Sequence, residues 1–146
     1  MDEIKVQNFT REHPGTQFPH YRPLSEREAE ELRRRLCLRL GLPPETSPLD
    51  LVHTLFNRSA AVPHVNAEDE NFSLKAVLRE VGIEPDSKVF INWHRFDQVD
   101  ELNLDALATR FDDIWYPAAD DIDIFDKGLE WVLSVGYSGT VRVLKI

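Results

Sequence analysis

The chain reads as an α+β domain, with helices packed on one face of a mainly antiparallel sheet of about four strands. Three observations predict it. The first half carries three amphipathic helical patterns with capping residues at their starts. After Pro85 the period shortens towards two, and β-branched and aromatic residues gather in short runs. The last three of those runs are separated by "DKG" and "SG", both compact glycine-containing hairpin signals. One domain of ordinary size accounts for 146 residues. It divides into an N-terminal arm over 1–24, a helical part over 25–82 and a β-α-β-β-β part over 87–146.

The arm carries Pro14, Pro19 and Pro23 and shows no apolar period, so an extended path is expected, with at most a short strand near Ile4 to Phe9. Ser25 and Glu28 form a capping-box pattern that opens the clearest helix, and Gly41 and Pro43 close it. Ala29, Leu32, Leu36 and Leu40 supply its buried stripe. Its glutamates precede its arginines, an order that suits the helix dipole and pairs of the type Glu30 with Arg34. A second helix starts at Ser47 with Pro48 in the first turn, turning Leu51 or Val52, Leu55 and Phe56 inward. Residues 59–70 read as a loop. A third helix runs from Ser73 to Gly82 on Leu74, Val77, Leu78 and Val81. "KVFINW" reads as a strand, "LNLDALATRFDDIW" as a helix capped by Asn103, and "DIDIF", "LEWVLSVGY" and "TVRVLKI" as strands of a meander.

Composition restricts the function classes. A net charge of −9 opposes nucleic acid as a partner, because phosphate is bound by clustered lysine and arginine. No apolar run approaches the roughly 20 residues a membrane helix needs, so no membrane role is expected. Cys37 is the only cysteine, which allows no internal disulfide and no thiolate cage and suits a reducing cytoplasm. A core thiol is the simpler reading for it. The five histidines show no metal-ligand spacing, and His94 reads as a strand-end residue. No nucleophile elbow, P-loop or dinucleotide fingerprint occurs.

The charge is local. Between Asp97 and Asp126 ten acidic side chains stand against Arg110 alone, an excess equal to that of the whole chain. Six of the ten lie in "RFDDIWYPAADDIDIFDKG", among large rings. A helix-loop-helix calcium site fails there, because counting from Asp121 puts Asp126 where glycine is needed and Val132 where glutamate is needed. A looser magnesium or calcium site could use Asp112 or Asp113 with Asp120 or Asp121. A carboxylate acid/base pair within 112–126 would need one member desolvated in a cleft. Strand alternation instead puts Ile122 and Ile124 on the core side and leaves Asp121 and Asp123 outside. The remaining readings are a solvated acidic face, a docking module of a larger assembly using the proline-rich arm, and a contact face for a basic protein partner. The last fits the rings as well as the charge, since interface hot spots favour Trp and Tyr. It assigns Asp112, Asp113, Trp115, Tyr116, Asp120, Asp121 and Asp123 to the contact, with no catalytic residue, no metal and no cofactor.

The tail, "FDDIWYPAADDIDIFD" followed by "LEWVLSVGYSGTV", resembles the C-terminal part of small bacterial proteins that share a W-Y-P-x-x-D-D-I-x-I-F-D block. Some of these look like immunity proteins that accompany polymorphic or contact-dependent toxins. The resemblance covers about the last 50 residues and carries no residue-level contact role. It implies an acidic protein that binds a basic toxin or enzyme, such as a nuclease-like domain, and covers its active cleft.

Overall fold

The computed structural model describes residues 1–146 and shows an α+β fold of six helices and one seven-stranded antiparallel sheet. In chain order the elements are α1 (Glu3–Glu12), β1 (Tyr21–Pro23), α2 (Glu26–Arg39), α3 (Pro48–Arg58), β2 (Ala60–Asn66), α4 (Leu74–Glu80) and β3 (Lys88–Asn92). Then follow β4 (Val99–Asn103), α5 (Leu104–Thr109), α6 (Phe111–Ile114), β5 (Ile122–Phe125), β6 (Trp131–Val135) and β7 (Thr140–Lys145). The strands lie in the order β1-β4-β3-β5-β6-β7-β2. No helix is long and apolar enough to cross a membrane.

Helices cover both faces of this sheet, where one covered face was expected. On one side α4, α5 and α6 pack Leu74, Leu78, Leu107, Phe111 and Ile114 against Ile91, Ile122, Ile124 and Leu133. On the other, α2 and α3 pack Leu32, Leu36, Leu51 and Leu55 against Phe125 and Val132. All four residues of β5 are buried as a result. The alternation of "IDIF" was read correctly as to which residues share a face. What differs is that the Asp123 and Phe125 face is roofed by α2 and α3 instead of meeting water.

The caps form as the residue types dictate. The Ser25 side chain accepts from Glu28 N while Glu28 accepts from Ser25 N, and Ser47, Ser73 and Asn103 cap α3, α4 and α5. Ala29, Leu32, Leu36 and Leu40 are buried, and so is Cys37, whose thiol burial pushes up in pKa. Phe56, expected inside, is 60% exposed. The pair that forms on α2 is Glu30 with Arg33, at 4.0 Å.

Three elements depart from expectation. The arm is not extended: Asp2 caps α1 by accepting from Ile4 N, and the inward positions of that helix are Lys5 and Phe9. One inward residue of the pair is charged, so no apolar period appears. Residues 60–66 form β2 although Pro63 interrupts them, because β2 is an edge strand and its pairing with β7 shifts register between Ala61 and Asn66. The helix expected over 102–115 yields its start to β4 and breaks at Arg110 into α5 and α6.

A sheet packed on both faces makes Phe125 as deep as Ile124. Phe125→Ala should therefore cost about 3–5 kcal/mol in urea denaturation, comparable with Ile124→Ala. A loss under about 1 kcal/mol would mean that α2 and α3 do not close that face.

Candidate functional site

The acidic stretch does not form one surface. Trp115, at 2% exposure, is buried and stacks on Phe111, with its indole nitrogen donating to Asp120 O at 3.0 Å. It is core, and the expectation that it belongs to a contact face is corrected. Tyr116 is half-buried, and α1 claims it: Asn8 Nδ2 donates to its hydroxyl at 3.2 Å, and Lys5 Nζ lies 3.7 Å from its ring centre. Lys5, itself buried, pairs with Asp120, whose carboxylate also accepts from Tyr116 N at 2.8 Å. Asp113 meets His13 at 3.2 Å and Arg110 at 4.0 Å. Asp126 is buried at the far end of β5, where it accepts from Asp86 N, Gly128 N and Trp131 Nε1. Unrelated sequence positions thus neutralise or bind four members of the run. Asp112 stays exposed without a partner.

The metal donors that do meet are Glu12, His13 and Asp113, whose ligand atoms lie within 4.8 Å of one another. This is a different set from the one the sequence suggests. Arg110 already brings positive charge to Asp113 there.

Asp121 and Asp123 belong elsewhere, in a cleft of about 420 Å³ between α3 and the β6–β7 hairpin. Its floor comes from sheet register. Asn92 pairs with Asp123, Asp123 with Ser134, and Ser134 with Arg142, so one polar residue from each of β3, β5, β6 and β7 falls in a row across the sheet. One alternation further along the same strands stand Phe90, Phe125, Val132 and Leu144, which belong to the core under α2 and α3. The cleft is where the helical roof stops: Asp123, Ser134 and Arg142 of the row line it, and Asn92 stays fully buried.

Within the row, Ser134 Oγ donates to Asp123 Oδ1 at 2.5 Å and Asn92 Nδ2 donates to Asp123 Oδ2 at 3.0 Å. The expectation that Asp123 lies outside is corrected, since it is only 8% exposed. Burial pushes its carboxyl above the ordinary range, and the Ser134 and Asn92 hydrogen bonds draw it partly back. Asp121 is exposed and accepts from Tyr137 N at 2.9 Å. Neither carboxylate enters an ion pair, unlike Asp113 and Asp120. Arg142, the one arginine of the lining, turns its guanidinium to Ser59 Oγ, Ser59 O and Phe56 O, and lies 4.3 Å from the Phe56 ring centre. Phe56 and Tyr137, 60% and 59% exposed, stand on the helix wall and the hairpin wall.

The end of the sheet that carries the cleft is backbone-strained. His94, Phe96 and Ala118 hold φ of 79°, 58° and 64°. Asn92 Oδ1 fixes the loop by accepting from Phe96 N at 2.7 Å, and Ala118 N donates to Tyr137 O at 2.8 Å. His94 and His53 line the cleft, yet no hydrogen bond joins either one to Ser134. Ser134 directs its hydroxyl proton to Asp123. Sequence reading missed Asn92, Ser134, Arg142, Phe56 and Tyr137. The available signal was one polar residue in each of four strands, two places from an apolar residue on the same face.

The two acid groups behave differently under substitution. Asp120→Ala leaves Lys5 buried without a counter-charge and should cost about 3 kcal/mol, whereas Asp112→Ala should stay within about 0.5 kcal/mol; urea denaturation of both variants checks the contrast. Asp123 titrates above the ordinary carboxylate range when folded, so in that window the folded chain keeps a proton the unfolded chain has released. Stability falls as pH rises through it. Measured from about pH 4 to about pH 8, wild-type stability relative to Asp123→Asn should decline with pH, and a constant difference would mean an ordinary carboxylate. Among known proteins, no family model, no curated protein and no solved structure matches this chain.

Proposed function

We propose that this protein acts by binding, as an immunity-type inhibitor that docks on a basic toxin or enzyme and covers its active cleft. The observation that carries this reading is the pairing of two exposed rings, Phe56 and Tyr137, with two carboxylates, Asp121 and Asp123, that enter no ion pair. Exposed aromatics set beside a recess are what interface anchors require. A net charge of −9 steers a basic partner towards the molecule. The resemblance of the tail to immunity-type proteins points the same way. Of the residues assigned to the contact from sequence, Asp121 keeps that role and Asp123 serves from the cleft floor, while Asp112 lies on α6, outside the cleft. Asp113, Tyr116 and Asp120 act beneath it by holding the turn that presents Asp121.

The test uses the tagged full-length chain to capture its partner from the native host, followed by purified reconstitution. Wild type should retain a basic chain, inhibit it at equal stoichiometry, and associate more slowly as salt is raised. The double variant Phe56→Ala, Tyr137→Ala should weaken the complex by at least about 100-fold, about tenfold for each anchor. Unchanged affinity of that variant would move the contact away from the cleft, and a captured chain whose activity is not blocked would remove the inhibitor reading.

A further inference from the structure

We infer that the cleft is a receptor for a single guanidinium group, the side chain of an arginine on the basic partner, held between Asp121, Asp123 and the ring of Tyr137. The inference rests on the binding reading above and names what that reading leaves open. Three observations converge on it.

The first is charge. Each of the structural aspartates near this end of the sheet has its own cation: Lys5 for Asp120, Arg110 for Asp113, and the Met1 amine for Asp100. The two that face the cleft enter no ion pair, and the basic group that acts on Asp123 is the His94 imidazole of the lining. A carboxylate with nine-tenths of its surface removed from water and no ion pair is costly for the folded chain. An entering cation would offset that cost.

The second is shape. Asp121 and Asp123 are two residues apart at the start of β5, so their side chains leave the same face of the strand, one exposed at the rim and one on the floor. Tyr137 is tied to the rim carboxylate through its own backbone N–H, which sets the base of the ring beside Asp121. A flat acceptor pair next to a flat ring matches guanidinium, with its planar fork of donors and its tendency to stack. An ammonium would use neither the fork nor the plane.

The third is precedent within the cleft. Arg142 already lays its guanidinium 4.3 Å from the Phe56 ring, bonded to carbonyl oxygens of the wall. Its donors are directed away from the two carboxylates, and no cation of the chain stacks on Tyr137. One ring of the cleft carries a guanidinium, and the other stands beside Asp121, whose second carboxylate oxygen accepts no hydrogen bond. The volume of about 420 Å³ falls within the roughly 300–1,000 Å³ range of small-ligand sites.

The experiment titrates the full chain with ethylguanidinium and, separately, ethylammonium at matched ionic strength, read by NMR shifts of backbone amides. Ethylguanidinium should give saturable shifts confined to Ile122, Asp123, Ser134 and Tyr137, with a dissociation constant in the millimolar range, about 1 mM. Ethylammonium should bind at least about fivefold more weakly. The exposed-site variant Asp121→Asn should weaken ethylguanidinium by about tenfold, and Asp112→Asn should leave it unchanged. Linear shifts spread over the acidic surface, equal binding of the two cations, or indifference to Asp121→Asn would each overturn the inference. A cleft that binds ethylguanidinium while Phe56→Ala, Tyr137→Ala leaves partner binding intact would sink the docking reading alone. Loss of partner binding in a cleft that ignores ethylguanidinium would do the reverse.

Discussion

The burial of β5 on both faces is the constraint on which the rest depends. "IDIF" has only four residues, and each is buried. Ile122 and Ile124 need one apolar layer, and Phe125 needs another on the opposite side. An antiparallel sheet commonly leaves one face to water, but a buried phenylalanine packed between Phe90 and Phe96 rules that out here. Two separate helical layers follow from that. Because α2 and α3 belong to a different stretch of chain from α4, α5 and α6, their roof need not match the length of the sheet. Where it falls short, the face that holds Phe125 continues as a polar row, and a recess forms there.

Asp123 is the consequence of that geometry with most chemical content. It shares the face of Phe125, so it cannot reach the open surface by rotating its side chain. Its partners are the strand neighbours that register places opposite it, Asn92 and Ser134. The row is satisfied in hydrogen bonds and unsatisfied in charge. Those two statements are compatible, because neutral donors spread a carboxylate's charge without cancelling it. Where α2 and α3 cover the same face of β3, β6 and β7, apolar residues stand instead: Phe90, Val132 and Leu144.

Local signals in the sequence were legible and long-range ones were not. The capping residues Ser25, Ser47, Ser73 and Asn103 each specify a helix start through a bond to a residue two or three places on, and each forms. The apolar rows of β5 and β6 also meet as alternation requires: Ile124 faces Leu133, four residues beyond the Leu129 that a two-residue loop would select. Because the shift is an even number, no face is exchanged. By contrast, α1 was invisible because its inward Lys5 takes the charge of Asp120, a residue more than a hundred positions away. The strands β1, β2 and β4 were invisible because pairing and not composition makes them strands. Pro23 and Pro63 argue against strands in general yet sit on the two edges, where a missing N–H costs little. The cleft was hidden for the same reason, since register alone aligns Asn92, Asp123, Ser134 and Arg142.

The turn between α6 and β5 explains why an acidic run with so many members exposes so few. Asp120 and Asp121 are neighbours in sequence and serve opposite sides of the sheet. Asp120 is drawn to Lys5 and closes α1 over the layer that holds Ile114 and Trp115. Asp121 is drawn to Tyr137 N and closes the turn on the β6–β7 hairpin, where Ala118 N adds a second bond to the carbonyl of the same residue. The left-handed backbone at Ala118 turns the chain between these two attachments. The α1 layer therefore fixes the rim of a cleft it does not touch. Lys5 and Tyr137 N thus hold the two ends of one six-residue turn, so the helix that composition concealed is part of what positions the rim of the cleft.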